Sequence, residues 1–183
     1  AMGYATLDAN STGASNTAFG SAALSANTTA NYNTGIGYQA LTLNTTGTRN
    51  TALGTGALSA NTTADYNTGL GNNALNANTT GTANVAVGSG ALDANTTAGH
   101  NTAVGVDALG ANTTASYNTA VGSNALVTNT TGDHNTGIGY YALQSLTTGT
   151  NNVSVGSVTL DANSTGSANV ALGYAALGAN TTA

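Results

Sequence analysis

Cysteine, proline, tryptophan, lysine and glutamate are all missing from this chain of 183 residues. Without cysteine there is no disulfide framework and no thiol nucleophile. That lack says nothing of compartment, since secreted fibres are often cysteine-free too. One arginine, Arg49, stands against six aspartates, giving a net charge of -5 and a pI near 4.1. No basic patch can neutralise phosphates, which excludes nucleic acid as a partner and makes an anionic membrane surface an equally poor one. No apolar run approaches the ~20 residues of a membrane-spanning helix. No signal peptide is visible, and the chain begins and ends in mid-repeat, so we expect a segment of a longer protein. Large apolar side chains are scarce as well: Leu, Ile, Val and Phe supply 29 residues. Ordering a backbone costs about 1–2 kcal/mol per residue. So few large apolar residues predict support from backbone ladders, close packing of small residues and burial between chains.

What is present is a period. Asn16-Thr17-Ala18-Phe19-Gly20 returns as Asn33-Thr34-Gly35-Ile36-Gly37, and again every seventeen residues as far as Asn169-Val170-Ala171-Leu172-Gly173. A fixed period of this length means short units stacked one on the next. We count each unit from its Asn as position 1. Position 2 is Thr, or Val at Val85, Val153 and Val170; position 3 is Ala, Gly or Ser; position 4 is apolar; position 5 is Gly. Position 8 is nearly always Ala, position 9 always Leu, position 11 mostly Ala, and positions 12–15 usually read Asn-Thr-Thr-(Gly/Ala). Positions 6, 7, 10, 16 and 17 vary.

The pattern predicts an all-β parallel β-roll or β-solenoid of about eleven coils, forming a single repeat domain over 1–183. A first strand is expected over positions 1–4, with positions 2 and 4 inward because both accept β-branched residues. A second is expected over positions 7–11, with Leu at 9 and Ala at 11 inward. The Asn-Thr-Thr-Gly run is a turn signal. Stacking predicts files of Asn that hydrogen-bond to their copies above and below. Alternation then puts the small residues of positions 3 and 8 on outer faces, where their constancy points to contact with another chain. A fainter two-unit period shows in the pairs Tyr4/Tyr38, Tyr32/Tyr66 and Tyr140/Tyr174.

The five opening residues, above all Asn84-Val85-Ala86-Val87-Gly88, Asn152-Val153-Ser154-Val155-Gly156 and Asn169-Val170-Ala171-Leu172-Gly173, resemble the head repeats of trimeric autotransporter adhesins. The longer form, Asn-Thr-Ala-Φ-Gly-x-x-Ala-Leu-x-x-Asn-Thr-Thr-Gly, is similar to repeats of phage-type tail fibres and bacterial surface fibres. The resemblance implies a left-handed roll, a homotrimeric fibre, and a place outside the cell or on a virion.

No catalytic constellation is visible. His100 and His134 both occupy position 17, two coils apart, about 10 Å along the stack. That separation is too large to share a metal, whose bonds to nitrogen are ~2.0–2.1 Å. The aspartates are scattered rather than paired for glycoside hydrolysis. No metal, cofactor or catalytic residue is therefore predicted, and an enzyme ranks last. Candidate ligand contacts are the tyrosines at position 17 (Tyr32, Tyr66, Tyr117) and position 6 (Tyr38, Tyr140, Tyr174), whose rings could stack on sugars. The leading expectation is a structural and adhesive segment, shaft or head, of an extracellular trimeric fibre that touches host glycans or proteins. The alternative is an ice-binding solenoid. Against that, adjacent Thr at positions 13 and 14 should face opposite ways, and position 2 interchanges with Val.

Overall fold

The computed structural model describes residues 1–182. One parallel sheet runs through it, with ten three-residue strands in sequence order: β1 (Thr17–Phe19), β2 (Thr34–Ile36), β3 (Thr51–Leu53), β4 (Thr68–Leu70), β5 (Val85–Val87), β6 (Thr102–Val104), β7 (Thr119–Val121), β8 (Thr136–Ile138), β9 (Val153–Val155) and β10 (Val170–Leu172). Each strand pairs with the next in strict seventeen-residue register, Thr17 beside Thr34 and Phe19 beside Ile36. The predicted β-solenoid is therefore the observed fold, with nine full turns between β1 and β10. The eleventh strand position, at Met2, is reduced to an isolated bridge to Phe19. No helix occurs among the described residues.

The core is a single file. Leu24, Leu41, Leu58, Leu75, Leu92, Leu109, Leu126, Leu143 and Leu160, all at position 9, are completely buried. The leucine prediction holds, but its setting differs. Positions 7–11 form a series of turns, not a second strand. Leu at position 9 takes a positive φ, from 49° to 54°, as does position 7, whatever residue stands there. Left-handed geometry costs roughly 1–2 kcal/mol in a residue with a Cβ. It is held here by hydrogen bonds between coils: the Leu24 N–H donates to the Ala40 carbonyl at 3.0 Å, and the Ala22 N–H to the Tyr4 carbonyl at 2.8 Å. These bonds satisfy the backbone as a strand ladder would.

The facing of the first strand is reversed from the prediction. Position 3 is the buried one in every strand, and positions 2 and 4 look outward. The reason is packing. A Cβ built on Gly35 would lie 3.2 Å from the Leu24 side chain, and one on Gly69 would lie 3.3 Å from Leu58. Each leucine thus presses on position 3 of the next coil, where only Ala, Gly or Ser fits. Position 8 is also buried, from Ala23 to Ala142. The small residues expected to meet another chain instead line the interior. Position 11, expected inward, is only half-buried at Ala26.

Candidate functional site: the outer surfaces of the column

Two asparagine files stiffen the inside of the wall. At position 1, each Oδ1 accepts the backbone N–H of the next Asn: Asn33 to Asn50 and Asn50 to Asn67, both at 2.9 Å. At position 12, each Nδ2 from Asn27 to Asn129 donates to the Oδ1 of the preceding copy, as Asn61 does to Asn44 at 2.8 Å. The files converge on the carbonyl at position 15: Gly47 accepts from both Asn33 (2.8 Å) and Asn44 (2.9 Å). The predicted ladders thus exist, and they bury their amides completely. The position-12 asparagines from Asn27 to Asn129 formally open Asn-x-Thr glycosylation sequons, but their amides are buried in this wall. Position 13 is bonded too, the Thr28 hydroxyl donating to the Thr45 carbonyl at 3.2 Å.

Outside the wall lie the exposed threonine row of position 14 and three further surfaces. The first is the outer face of the sheet. All ten position-4 residues are apolar; position 2 supplies Val85, Val153 and Val170, and threonine elsewhere. Neither position carries a charge in any strand. Phe19, Leu53, Val85, Val121, Ile138 and Val153 are exposed along it. Ten strands at ~4.8 Å spacing and about 10 Å of width give a patch near 500 Å². That is the size of the largest apolar patch on a typical monomer, about 300–600 Å², which is often a functional surface.

The second surface is the edge at position 17. His100, Tyr117 and His134 form a stacked ladder, with ring centroids 5.1 and 4.9 Å apart and planes within 4°. The predicted separation of the two histidines is thus confirmed. Arg49 lies between Tyr32 and Tyr66, its guanidinium carbon 5.4 and 5.3 Å from their centroids, and donates to the Tyr66 hydroxyl at 3.2 Å. Every residue here has positive φ, for example 62° at Tyr32 and 58° at Arg49. Beside it, side chains at position 16 cap backbone donors of the preceding coil: Asn31 accepts from the Ala14 N–H at 2.7 Å, and Asp65 and Asp133 accept from Thr48 and Ser116 at 2.6 Å. Asn31 and Asp65 are two coils apart, but Gly99 interrupts that spacing before Asp133, and Ser116 and Ser167 cap Gly99 and Thr150 in the same way; sequence reasoning missed these caps.

The third surface is the position-6 edge, with Tyr38, Tyr140 and Tyr174 exposed. Tyr140 meets Tyr141 edge-on at 4.3 Å, and the hydroxyl of Tyr141 beside it raises its phenol pKa. The six predicted contact tyrosines therefore split between two edges. Tyr117 has both ring faces covered and Tyr32 and Tyr66 one each by Arg49, while Tyr38 and Tyr174 have no ring contact among the described residues. Asp93, on the position-10 row, has its carboxyl raised above 3.8, chiefly by burial and further by the nearby Asp107 charge.

Among the described residues there is no pocket, and no group of three or more His, Cys, Asp or Glu placed to hold a metal. Nor is any helix long and apolar enough to cross a membrane. What this architecture offers a ligand is surface. No known protein family, no curated protein and no solved structure matches the chain.

Proposed function

We propose that this chain is a structural and adhesive segment of an extracellular fibre, in which three copies pack through the outer faces of their sheets. The carrying observation is the uncharged stripe of position-4 side chains, which runs unbroken from Phe19 to Leu172. Its ~500 Å² is below the ~800 Å² per partner of a standard protein interface, so residues flanking the stripe must supply the rest. A rod with one apolar side and two polar edges associates side by side, and the resemblance to adhesin heads suggests three copies. The fibre's free edges then carry Tyr38 and Tyr174, with open ring faces for host glycans.

Sedimentation equilibrium on the wild type and on a Val104→Asp/Val121→Asp variant tests this reading. We expect a trimer mass for the wild type. The variant should fall to a monomer that keeps its β-rich circular dichroism. A wild type that stays folded and monomeric at micromolar concentration overturns it.

A second reading, ice binding, draws on one different observation. Position 14 is threonine in all eleven units, from Thr12 to Thr182, and exposed in every one. None of these hydroxyls bonds to the protein among the described residues, although those of position 13 do. Position 13 admits Ser11 and Ser164, and position 2 admits Val, whereas position 14 keeps both methyl and hydroxyl. A thermal-hysteresis measurement on dilute protein decides it: no gap between freezing and melting removes this reading.

A further inference from the structure

Between the unit 118–134 and the unit 135–151, interactions that recur along the column stop together. The Asn file of position 12 makes seven links from Asn10 to Asn129, the last at 3.4 Å. The next residue in the file is Leu146, which cannot donate, so Asn129 Oδ1 is buried without a partner. In the same unit Asn118 Nδ2 is also buried and unpaired. Its neighbours in the file, Asn101 and Asn135, donate to Ala115 and Gly149 at 2.9 and 2.8 Å. A backbone bond is lost as well. The position-11 N–H donates to the following unit at every junction from Ala9 to Ala111. Thr128 does not continue the row; its hydroxyl turns to the carbonyls of Gln144 and Leu146.

Beyond the junction the position-12 and position-11 rows do not resume, but other links replace them. Asn152 Nδ2 and Asn169 Nδ2 each reach the preceding Oδ1 at 3.0 Å, and the Thr159 hydroxyl donates to the Gly173 carbonyl of the next unit at 2.6 Å. Across the junction itself, Leu146 contributes apolar burial, and the main backbone bonds persist: Thr119 to Asn135, Leu126 to Ala142, and Gly139 to Val121. A buried polar atom left unpaired forfeits its hydration without return. In a stack whose stability is a sum over neighbouring units, the junction beside two such atoms is the weakest internal one.

We propose that this junction is a built-in parting plane, where the column opens into 1–134 and 135–183 ahead of every other internal junction. It confines the first rupture to one place and leaves the larger part of the stack ordered.

Hydrogen exchange on the full chain, read by mass spectrometry under native conditions, tests the proposal. Peptides covering 119–131 and 139–141 should exchange about tenfold faster than the equivalent 51–63 and 71–73, as expected from sub-global opening at an interface with unpaired polar groups. Leu146→Asn restores a donor to Asn129, and Thr128→Ala restores the prevailing residue at position 11. Each should remove most of the difference. If Leu146→Asn fails to fold, the wild-type profile and Thr128→Ala decide. Exchange that depends only on distance from the chain ends, or that neither variant slows, overturns the proposal.

Discussion

Leucine at position 9 does two opposed jobs. It is the large apolar side chain that recurs in the interior of every coil, joined only by Leu146 in the coil of Leu143, and it sits in a backbone conformation that a Cβ disfavours. At Leu92, φ is 52° and exposure is nil. Replacing it by Val removes a methylene and places a branch at Cβ in left-handed geometry. We expect Leu92→Val to cost about 2 kcal/mol or more, well above an ordinary single-methylene loss. Ala83 at position 17 has the same kind of φ, 57°, but lies off the core. Ala83→Gly should therefore leave stability within about 0.5 kcal/mol or raise it. Urea denaturation of the two variants side by side checks both expectations.

Asp93 makes a second prediction at this scale. Burial, and then the charge of Asp107, raise its pKa in the folded state, so the native protein holds this proton more tightly than the unfolded chain. The stabilising effect of protonation is complete below the unfolded carboxyl value near 3.8 and is lost as pH rises through the higher folded value. Melting temperature followed from pH 3 to pH 6 should show this contribution declining with pH. Asp93→Asn should flatten that slope, and an unchanged slope counts against the assignment.

At the scale of the element, the stacked glycines set how closely coils approach. Gly71 has φ 137°, and a Cβ there would come 2.5 Å from the carbonyl oxygen of Gly88 in the next coil. Backbone cannot yield as a flexible side chain does. Gly71→Ala should break the ladder locally and cost several kcal/mol, of the order of a strained-backbone defect plus a lost hydrogen bond. Thermal melting measures it directly.

The first strand, expected over positions 1–4 and observed over 2–4, was legible from the recurring five-residue opening, and the glycine bend and leucine file because each repeats without exception. The facing of the strand was not. Exchange of Thr for Val at position 2 suits a half-buried pleat and an open one equally, so it misled. The better signal was the pairing of extremes: position 9 is never anything but Leu, and position 3 is never larger than Ser. Such a pair fits a large residue lodged against a small one in the next coil. The turns at positions 7–11 carried a signal as well. Position 7 holds Gly56 and Gly90, both at φ 68°, which marks left-handed backbone. Alternating hydrophobicity assumes extended chain and so could not see it. The tyrosines were readable as exposed, but their partners were not: ladders such as His100–Tyr117–His134 follow from side chains held one above another, which the spacing of seventeen only implies.

At the scale of the whole molecule, strict register makes the coil an interchangeable part. Deleting residues 67–100 joins Tyr66 to Asn101 and removes two complete units while every file closes on a copy of its former neighbour. That variant should fold, with the same circular dichroism per residue, and small-angle scattering should find it shorter by about 10 Å, two coil rises. Deleting one residue more should abolish cooperative melting, since a slip of one turns each side chain of the sheet to the wrong face.

The chain is in this sense a ruler graduated in steps of seventeen residues. Recombination between like units can lengthen or shorten such a rod without inventing any new contact. The length of such a column can thus be inherited as a simple number of copies.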